Sequence, residues 1–123
     1  MPYSVSLNKD DGFINVRVSS NATHEEHCAA YDEALRLCQE NMCSKILVDL
    51  RELDTCQSSK VECFLFGEWV AGSSKCLRIA HVMPTNKKSK EDVEFTATVE
   101  ENRGVITGIF GTVDKAKKWL MTQ

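Results

Sequence analysis

A nearly continuous apolar segment occupies residues 45–50 of the chain and reads KILVDL. A strand that buries one face alternates apolar and polar residues, whereas a continuous run is typical of an interior strand in a parallel sheet. Parallel strands are joined by long crossover connections that usually contain a helix. The segment therefore predicts an α/β domain in which helices flank this strand.

The chain begins with two short strand patterns, Tyr3–Leu7 and Phe13–Val18, that are rich in β-branched and aromatic residues. Residues 8–12 join them and end in Asp-Gly, which supplies the positive φ that a tight hairpin turn needs. Apolar and polar residues alternate in the second pattern, so at this edge of the sheet one face is expected to be buried and the other at least partly exposed to solvent. These features predict an N-terminal hairpin.

Two capping boxes mark the expected starts of the first two helices. Thr23 and Glu26 precede apolar residues at helical spacing, so a helix is expected from there to near Asn41. Ser59 and Glu62 form the second box and open a helix of about three turns that ends near Gly72.

The remaining strand and helix patterns alternate along the chain. Residues 77–82 and 105–110 are strand patterns, and between them a polar loop at 84–90 precedes a weaker amphipathic helix that ends at Gly104. Thr112 begins a terminal helix. The lysines of the polar loop are expected to be solvated, with contact to an anionic headgroup as the alternative; they are Lys87, Lys88 and Lys90.

This order predicts an α/β fold with a single-layer mixed five-stranded sheet, built from the N-terminal hairpin and four βα units. Right-handed crossovers should place strands two to five in parallel, with strand one antiparallel at the edge. Neither a linker nor a repeat interrupts the pattern, so residues 1–123 are expected to form a single domain.

The charge balance excludes several classes of partner. The net charge is −3, from 15 basic and 18 acidic residues, so the basic excess of a nucleic-acid-binding protein is missing. The apolar runs are far shorter than the ~20 residues of a membrane span. The N-terminus does not resemble a signal peptide, and a cytoplasmic location is expected.

The six cysteines are expected to be reduced thiols, most of them small core residues. Cys28 and Cys38 fall on one predicted helix, roughly 15 Å apart along its axis, and therefore cannot form a disulfide with each other. No Cys-x-x-Cys pair is present, which removes the main support for a zinc or thioredoxin-like site.

Candidate catalytic groups are few, and the chain is expected to be neither an enzyme nor a cofactor-binding protein. His24 and His27 lie one helical turn apart and could share a metal, but no third ligand is evident, and exposed histidines on a polar first turn are the preferred explanation. Cys56 with His81 as its base would be the best-placed thiol pair, yet no third group orients it.

The second helix is unusually apolar, with Phe64, Phe66 and Trp69 among residues that take up more than one stripe. Core packing is the simplest explanation for them. The alternatives are an interface with a protein partner or a second copy of the chain, and a pocket for an apolar small molecule between this helix and the sheet.

Three features point together to a known family. They are the element order, the strand at 45–50 leading into a serine-bearing helix start, and a tail in which Asn102-Arg103-Gly104 precedes Ile109-Phe110 and residues 116–120. In this combination the chain resembles the STAS domain (sulphate transporter and anti-sigma-factor antagonist), and particularly its SpoIIAA-like branch. The resemblance covers nearly the whole chain and implies a regulatory module that binds another protein.

The resemblance also implies a phosphorylation site. STAS regulators carry an Asp-Ser-Ser-Gly type motif about eight residues after the acidic end of the strand, and its first serine can be phosphorylated. Ser58 matches that serine, while Gln57 and Lys60 stand where the family has Asp and Gly. A phosphate here would meet the positive end of a helix dipole. Capping alone also accounts for Ser58 and Ser59.

The leading hypothesis is a non-enzymatic interaction module whose partner contacts the loop after the third strand and the start of the second helix. The alternative is a carrier of an apolar or amphipathic small ligand. The residues expected to form the binding site are Asp54, Gln57, Ser58 and Ser59 at that edge, with Phe66 and Trp69 on the apolar helix.

Overall fold

The five strands pair in the order in which they occur along the chain. In the computed structural model, which describes residues 2–54, 58–73 and 77–122, they are β1 (Tyr3–Asn8), β2 (Phe13–Val18), β3 (Lys45–Asp49), β4 (Arg78–Val82) and β5 (Ile106–Phe110). The β1 strand is antiparallel to β2, and the other pairs are parallel. The predicted mixed five-stranded sheet is confirmed.

Four helices follow strands two to five: α1 (His24–Glu40), α2 (Lys60–Ser73), α3 (Lys87–Asn102) and α4 (Val113–Met121). Because the strand order runs steadily across the sheet, crossovers of one hand place α1, α2 and α3 on the same face. These helices share the larger apolar cluster with β2, β3 and β4, whereas α4 packs against β3, β4 and β5 on the opposite face.

The apolar run at 45–50 is explained by this arrangement. Ile46 and Val48 point into the larger cluster, and Leu47 points to the α4 side, where it meets Ala116 and Leu120. All three β3 side chains are fully buried because both faces of the central sheet are covered.

The helix starts follow their capping residues. Thr23 and Glu26 form the predicted capping box of α1, and Ser59 and Glu62 form that of α2. The start of the third helix was predicted too late. Asn86 caps α3 by accepting a hydrogen bond from the Ser89 backbone N–H, so the lysines expected in a loop belong to its first turns.

Cys28, Cys38, Cys43 and Cys63 are in the thiol form, as predicted, and Cys56 and Cys76 lie outside the described residues. Across residues 2–54, 58–73 and 77–122, every helix is too short or too polar to cross a membrane.

Gly67 lets α2 approach α3 closely. A Cβ atom at this position would lie 2.9 Å from both Cβ and Cγ1 of Val99 and 3.2 Å from the Thr96 carbonyl oxygen. These separations are too short for carbon atoms, so any side chain at position 67 must push the two helices apart. The spacing between α2 and α3 is therefore fixed at this contact.

We expect Gly67→Ala to reduce the free energy of unfolding by about 2 kcal/mol, since overpacking a tight contact costs roughly 1–3 kcal/mol. Gly72 is the matched control because it lies on the same helix with open space around its Cα. Gly72→Ala should be neutral or stabilise the chain by up to about 1 kcal/mol through helix propensity. Urea unfolding of both variants tests this, and equal effects at the two positions would contradict it.

Candidate functional site

The carboxyl ends of β3 and β4 meet the first turns of α1 and α2 around a cavity of about 50 Å³. A volume of this size has room for roughly three or four water molecules. Apolar side chains form much of the wall, and polar groups reach it from His27, Ser58, His81 and Asp92. Ligand sites in open α/β sheets commonly lie at this carboxyl edge.

His24 and Ser58 are in direct contact beside the cavity. His24 Nδ1 lies 2.7 Å from Ser58 Oγ, and the other ring nitrogen, Nε2, lies 3.6 Å from Cys28 Sγ and 3.8 Å from Glu62 Oε2. The His24 side chain is only 20% exposed. The expectation that it is an ordinary solvated histidine is therefore wrong, because the start of α2 packs over it.

His27 is also turned inward, where its Nε2 has no hydrogen-bonding partner among the described residues. Burial, with a smaller contribution from the neighbouring His24, lowers the pKa of His27 from 6.5 to about 4. The ring is therefore neutral at pH 7. It offers one donor and one acceptor to the cavity or its surroundings.

A buried ionisable pair supports the cavity from the sheet side. His81 on β4 is 2% exposed, and its Nε2 lies 3.3 Å from Oε1 of Glu100, which is fully buried on α3. His81 Nδ1 and Glu100 Oε2 have no partner within the described part of the chain. All three histidines of the protein thus line or adjoin one cavity.

Asp92 brings two lysines to the same region. Its carboxylate is 2% exposed and lies 3.2 Å from Lys60 Nζ and 3.3 Å from Lys88 Nζ. Both lysines extend into solvent, and Lys60 also stacks over the Phe95 ring at 4.7 Å. These ion pairs join the starts of α2 and α3.

The structure places the predicted edge residues at different depths. Ser58 is half-buried and lines the cavity, whereas Ser59 is exposed and caps α2. Asp54 is exposed, and its carbonyl oxygen accepts a hydrogen bond from Ser89 Oγ at 3.3 Å. Gln57 lies outside the described residues.

The second helix exposes a compact set of apolar side chains, here called the α2 stripe: Val61, Phe64, Leu65 and Trp69. Their exposed fractions are 67%, 38%, 56% and 38%. At 100° per residue they fall within about 140° of one helix face. Glu68 lies within this arc, but its carboxylate is neutralised by Arg103, whose Nη2 lies 2.8 Å from Glu68 Oε2.

Phe66 and Trp69 therefore have different surroundings. Phe66 turns away from the stripe, contacts the Tyr31 ring edge-on with a centroid distance of 4.6 Å, and lines the cavity. Trp69 contacts Phe66 at 5.7 Å and remains 38% exposed at the margin of the stripe. The two residues connect the exposed face of α2 to the cavity behind it.

That the side chains of His27, His81 and Glu100 point into the core was not predicted from the sequence. The spacing of the apolar residues around each of them did carry this signal. His27 precedes Tyr31 and Ala34 at i+4 and i+7, which places it on the buried face of α1. Glu100 follows Val93 and Ala97 in the same way on α3, and His81 lies inside an apolar strand covered on both faces.

Comparisons of the chain with protein-family models, curated proteins and solved structures find no match. Within the described residues, His, Cys, Asp and Glu side chains form no group of three arranged to hold a metal ion. The two features of the described residues that point to a function are therefore the α2 stripe and the cavity beside the start of α2.

Proposed function

We propose that the chain is a protein-interaction module of the STAS type, located in the cytoplasm. Its contact surface would be the α2 stripe together with the helix start at Ser58 and Ser59. The observation that carries the proposal is the exposure of four large apolar side chains on one helix face. Half of the large hydrophobic residues that the described chain exposes lie on this helix, which scattered surface exposure does not explain.

The composition of the stripe fits a binding surface. Aromatic side chains such as Trp and Phe anchor many interfaces, and charged residues are depleted at interface centres. The only charge within the stripe, on Glu68, is already paired with Arg103. A partner can therefore cover this face without leaving an isolated carboxylate in an apolar environment.

The size of the stripe indicates what else the partner must touch. Stable interfaces bury about 800 Å² on each side and involve roughly 20–30 residues. Four side chains supply only the centre of such an area. The start of α2 with Ser58 and Ser59 is the adjoining surface, so a partner seated on the stripe would also meet the two serines. A second copy of the chain is one partner that the experiments below would reveal.

We expect Leu65→Glu to weaken the complex with the partner at least tenfold, because it places a charge at the centre of the apolar contact. Met42→Glu is the matched control, since Met42 is 96% exposed and lies outside the stripe. Immobilised wild-type chain and both variants would be compared in capturing partners from cells that produce the protein. The wild type and Met42→Glu should retain the same polypeptide and Leu65→Glu should lose it. Equal capture by all three would contradict the proposal.

A negative charge at Ser58 should act at the same surface. Phosphorylation adds about −1.5 to −2 charges at pH 7, and Glu62 already places a carboxylate near His24, the hydrogen-bonding partner of Ser58. We expect Ser58→Glu to weaken partner binding at least tenfold, whereas Ser58→Gln, of nearly the same shape without charge, should bind almost normally. Titration of the captured partner measures both affinities, and equal weakening would show that shape, not charge, matters.

The alternative function, a carrier of an apolar or amphipathic ligand, has weaker support. The cavity lies between α2 and the sheet, which is where a carrier of this kind would hold its ligand. Its volume of about 50 Å³ is small, since a cavity of about 150 Å³ is known to hold a benzene ring. Native mass spectrometry of freshly purified protein would reveal a lipid-sized adduct if the chain were a carrier.

A further inference from the structure

Ser58 has the surroundings of an activated nucleophile. When Nδ1 of His24 carries no proton, the Ser58 hydroxyl donates to it across 2.7 Å, which is the distance expected between a nucleophile and its general base. Glu62 Oε2 lies 3.8 Å from the opposite ring nitrogen. This carboxylate can stabilise the imidazolium that forms when the serine proton moves to His24.

Two further features are relevant to how a reacting group would bind beside this serine. Ser58 lines the cavity, and His81, itself 2% exposed, lines the same cavity with a ring nitrogen that has no partner among the described residues. The backbone N–H groups of Lys60 and Val61, in the first turn of the 14-residue α2, likewise have no acceptor there. Free amides at a helix start can stabilise an oxyanion.

We propose that Ser58 is a nucleophile, activated by His24, that accepts the acyl group of a short-chain carboxylic ester and releases it to water. This activity goes beyond partner binding, whose proposed surface includes Ser58, and departs from the expectation of a non-enzymatic chain. The chemical class of substrate follows from the cavity, because about 50 Å³ favours a short acyl group such as acetyl.

The reaction balances without a cofactor or an oxidant. Ser58 Oγ bonds to the ester carbonyl carbon while its proton passes to His24 Nδ1. The bond from that carbon to the alkoxy oxygen then breaks, and the leaving alcohol takes the proton from His24. Water attacks the resulting serine ester, gives a proton to His24, and displaces Ser58 Oγ, which recovers that proton. The products are one alcohol and one carboxylic acid.

The electrostatics of the site agree with these roles. Hydrogen bonding from the Ser59 backbone lowers the pKa of Glu62, and the neighbouring His24 acts in the same direction, so this carboxylate stays ionised at neutral pH. His27 is neutral at neutral pH, and its unpartnered Nε2 is available to a water molecule near the cavity. Such a water is what hydrolysis of the serine ester requires.

The test uses the full chain with p-nitrophenyl acetate, following nitrophenol release and the mass of the intact protein. We expect one added acetyl group, located on Ser58 by peptide mapping, and continued turnover. Ser58→Ala should abolish both, and His24→Gln should slow acetylation by about 10²–10⁴-fold, the usual contribution of a general base. Ser73→Ala is the matched control and should keep the wild-type rate, since Ser73 lies at the opposite end of α2 and its hydroxyl donates to the Trp69 carbonyl.

Two further measurements, one with a longer ester and one with the Leu65→Glu variant, separate the possible explanations. Replacing the acetate by p-nitrophenyl octanoate should slow labelling of Ser58, because a cavity of about 50 Å³ encloses only a short acyl group. Leu65→Glu should acetylate normally even if it loses the partner, so failure of one proposal is distinguishable from failure of the other. Acetylation confined to lysines, or equal labelling of Ser58 and Ser59 in a chain whose circular dichroism is unchanged, would overturn the assignment.

Discussion

Replacing Glu100 with leucine should destabilise the chain by about 3–5 kcal/mol. The carboxylate is fully buried, and its nearest polar partner is His81 Nε2 at 3.3 Å. Removing one member of a buried pair leaves the other without compensation in a medium of low dielectric constant, and such changes cost about 3–5 kcal/mol. Urea unfolding monitored by the two tryptophans would measure the loss.

The double variant His81→Leu/Glu100→Leu separates this explanation from simple damage to the core. Replacing both partners with apolar residues of similar volume is often neutral or stabilising. The double variant should therefore recover most of the stability that Glu100→Leu loses. Glu101→Leu, at the adjacent exposed position, should change stability by no more than about 0.5 kcal/mol. Additive losses in the double variant would show that the two side chains do not act as a pair.

Acid should destabilise the chain through His27 by about 3 kcal/mol between pH 7 and pH 4. Burial lowers the pKa of this imidazole from 6.5 to about 4 in the folded chain, so the unfolded chain binds the proton more tightly. The stabilising contribution is complete above pH 6.5 and is lost as the pH falls towards 4. A difference of 2.5 between the two values corresponds to roughly 3 kcal/mol.

His27→Gln isolates this contribution because glutamine does not titrate. The difference in unfolding free energy between the wild type and His27→Gln should shrink by about 3 kcal/mol from pH 7 to pH 4, most of it above pH 5, where few carboxylates titrate. Urea unfolding at a series of pH values gives both curves. Parallel curves for the two proteins would mean that His27 titrates in the folded chain as it does when unfolded.

The architecture could be predicted from the sequence because its signals are local. The capping boxes at Thr23 and Ser59 fix two helix starts, and the apolar run at 45–50 identifies a strand buried on both faces. The start of α3 was missed because Lys87 and Lys88 look like loop residues, although the Asn86 side chain caps the helix. A capping signal outweighed the polar composition of the segment that follows it.

The candidate site depends on contacts that are distant in the chain. His24 and Ser58 are 34 residues apart, and His81 and Glu100 are 19 apart, so their pairing follows only from how the crossovers set helices against the sheet. Their inward direction could have been read from helical spacing, but the identity of each partner could not. By contrast, the apolar excess on α2 was visible in the sequence, and the structure divides it between the inward Phe66 and the exposed stripe.

The most direct test of the interaction module is photo-crosslinking from the α2 stripe in cells that produce the protein. A benzophenone amino acid would replace Leu65 in one protein and Met42 in another, both exposed and chemically similar positions. Position 65 should crosslink to one distinct polypeptide, identified by mass spectrometry, that position 42 does not reach. Identical products from the two positions, or none from position 65, would contradict the account.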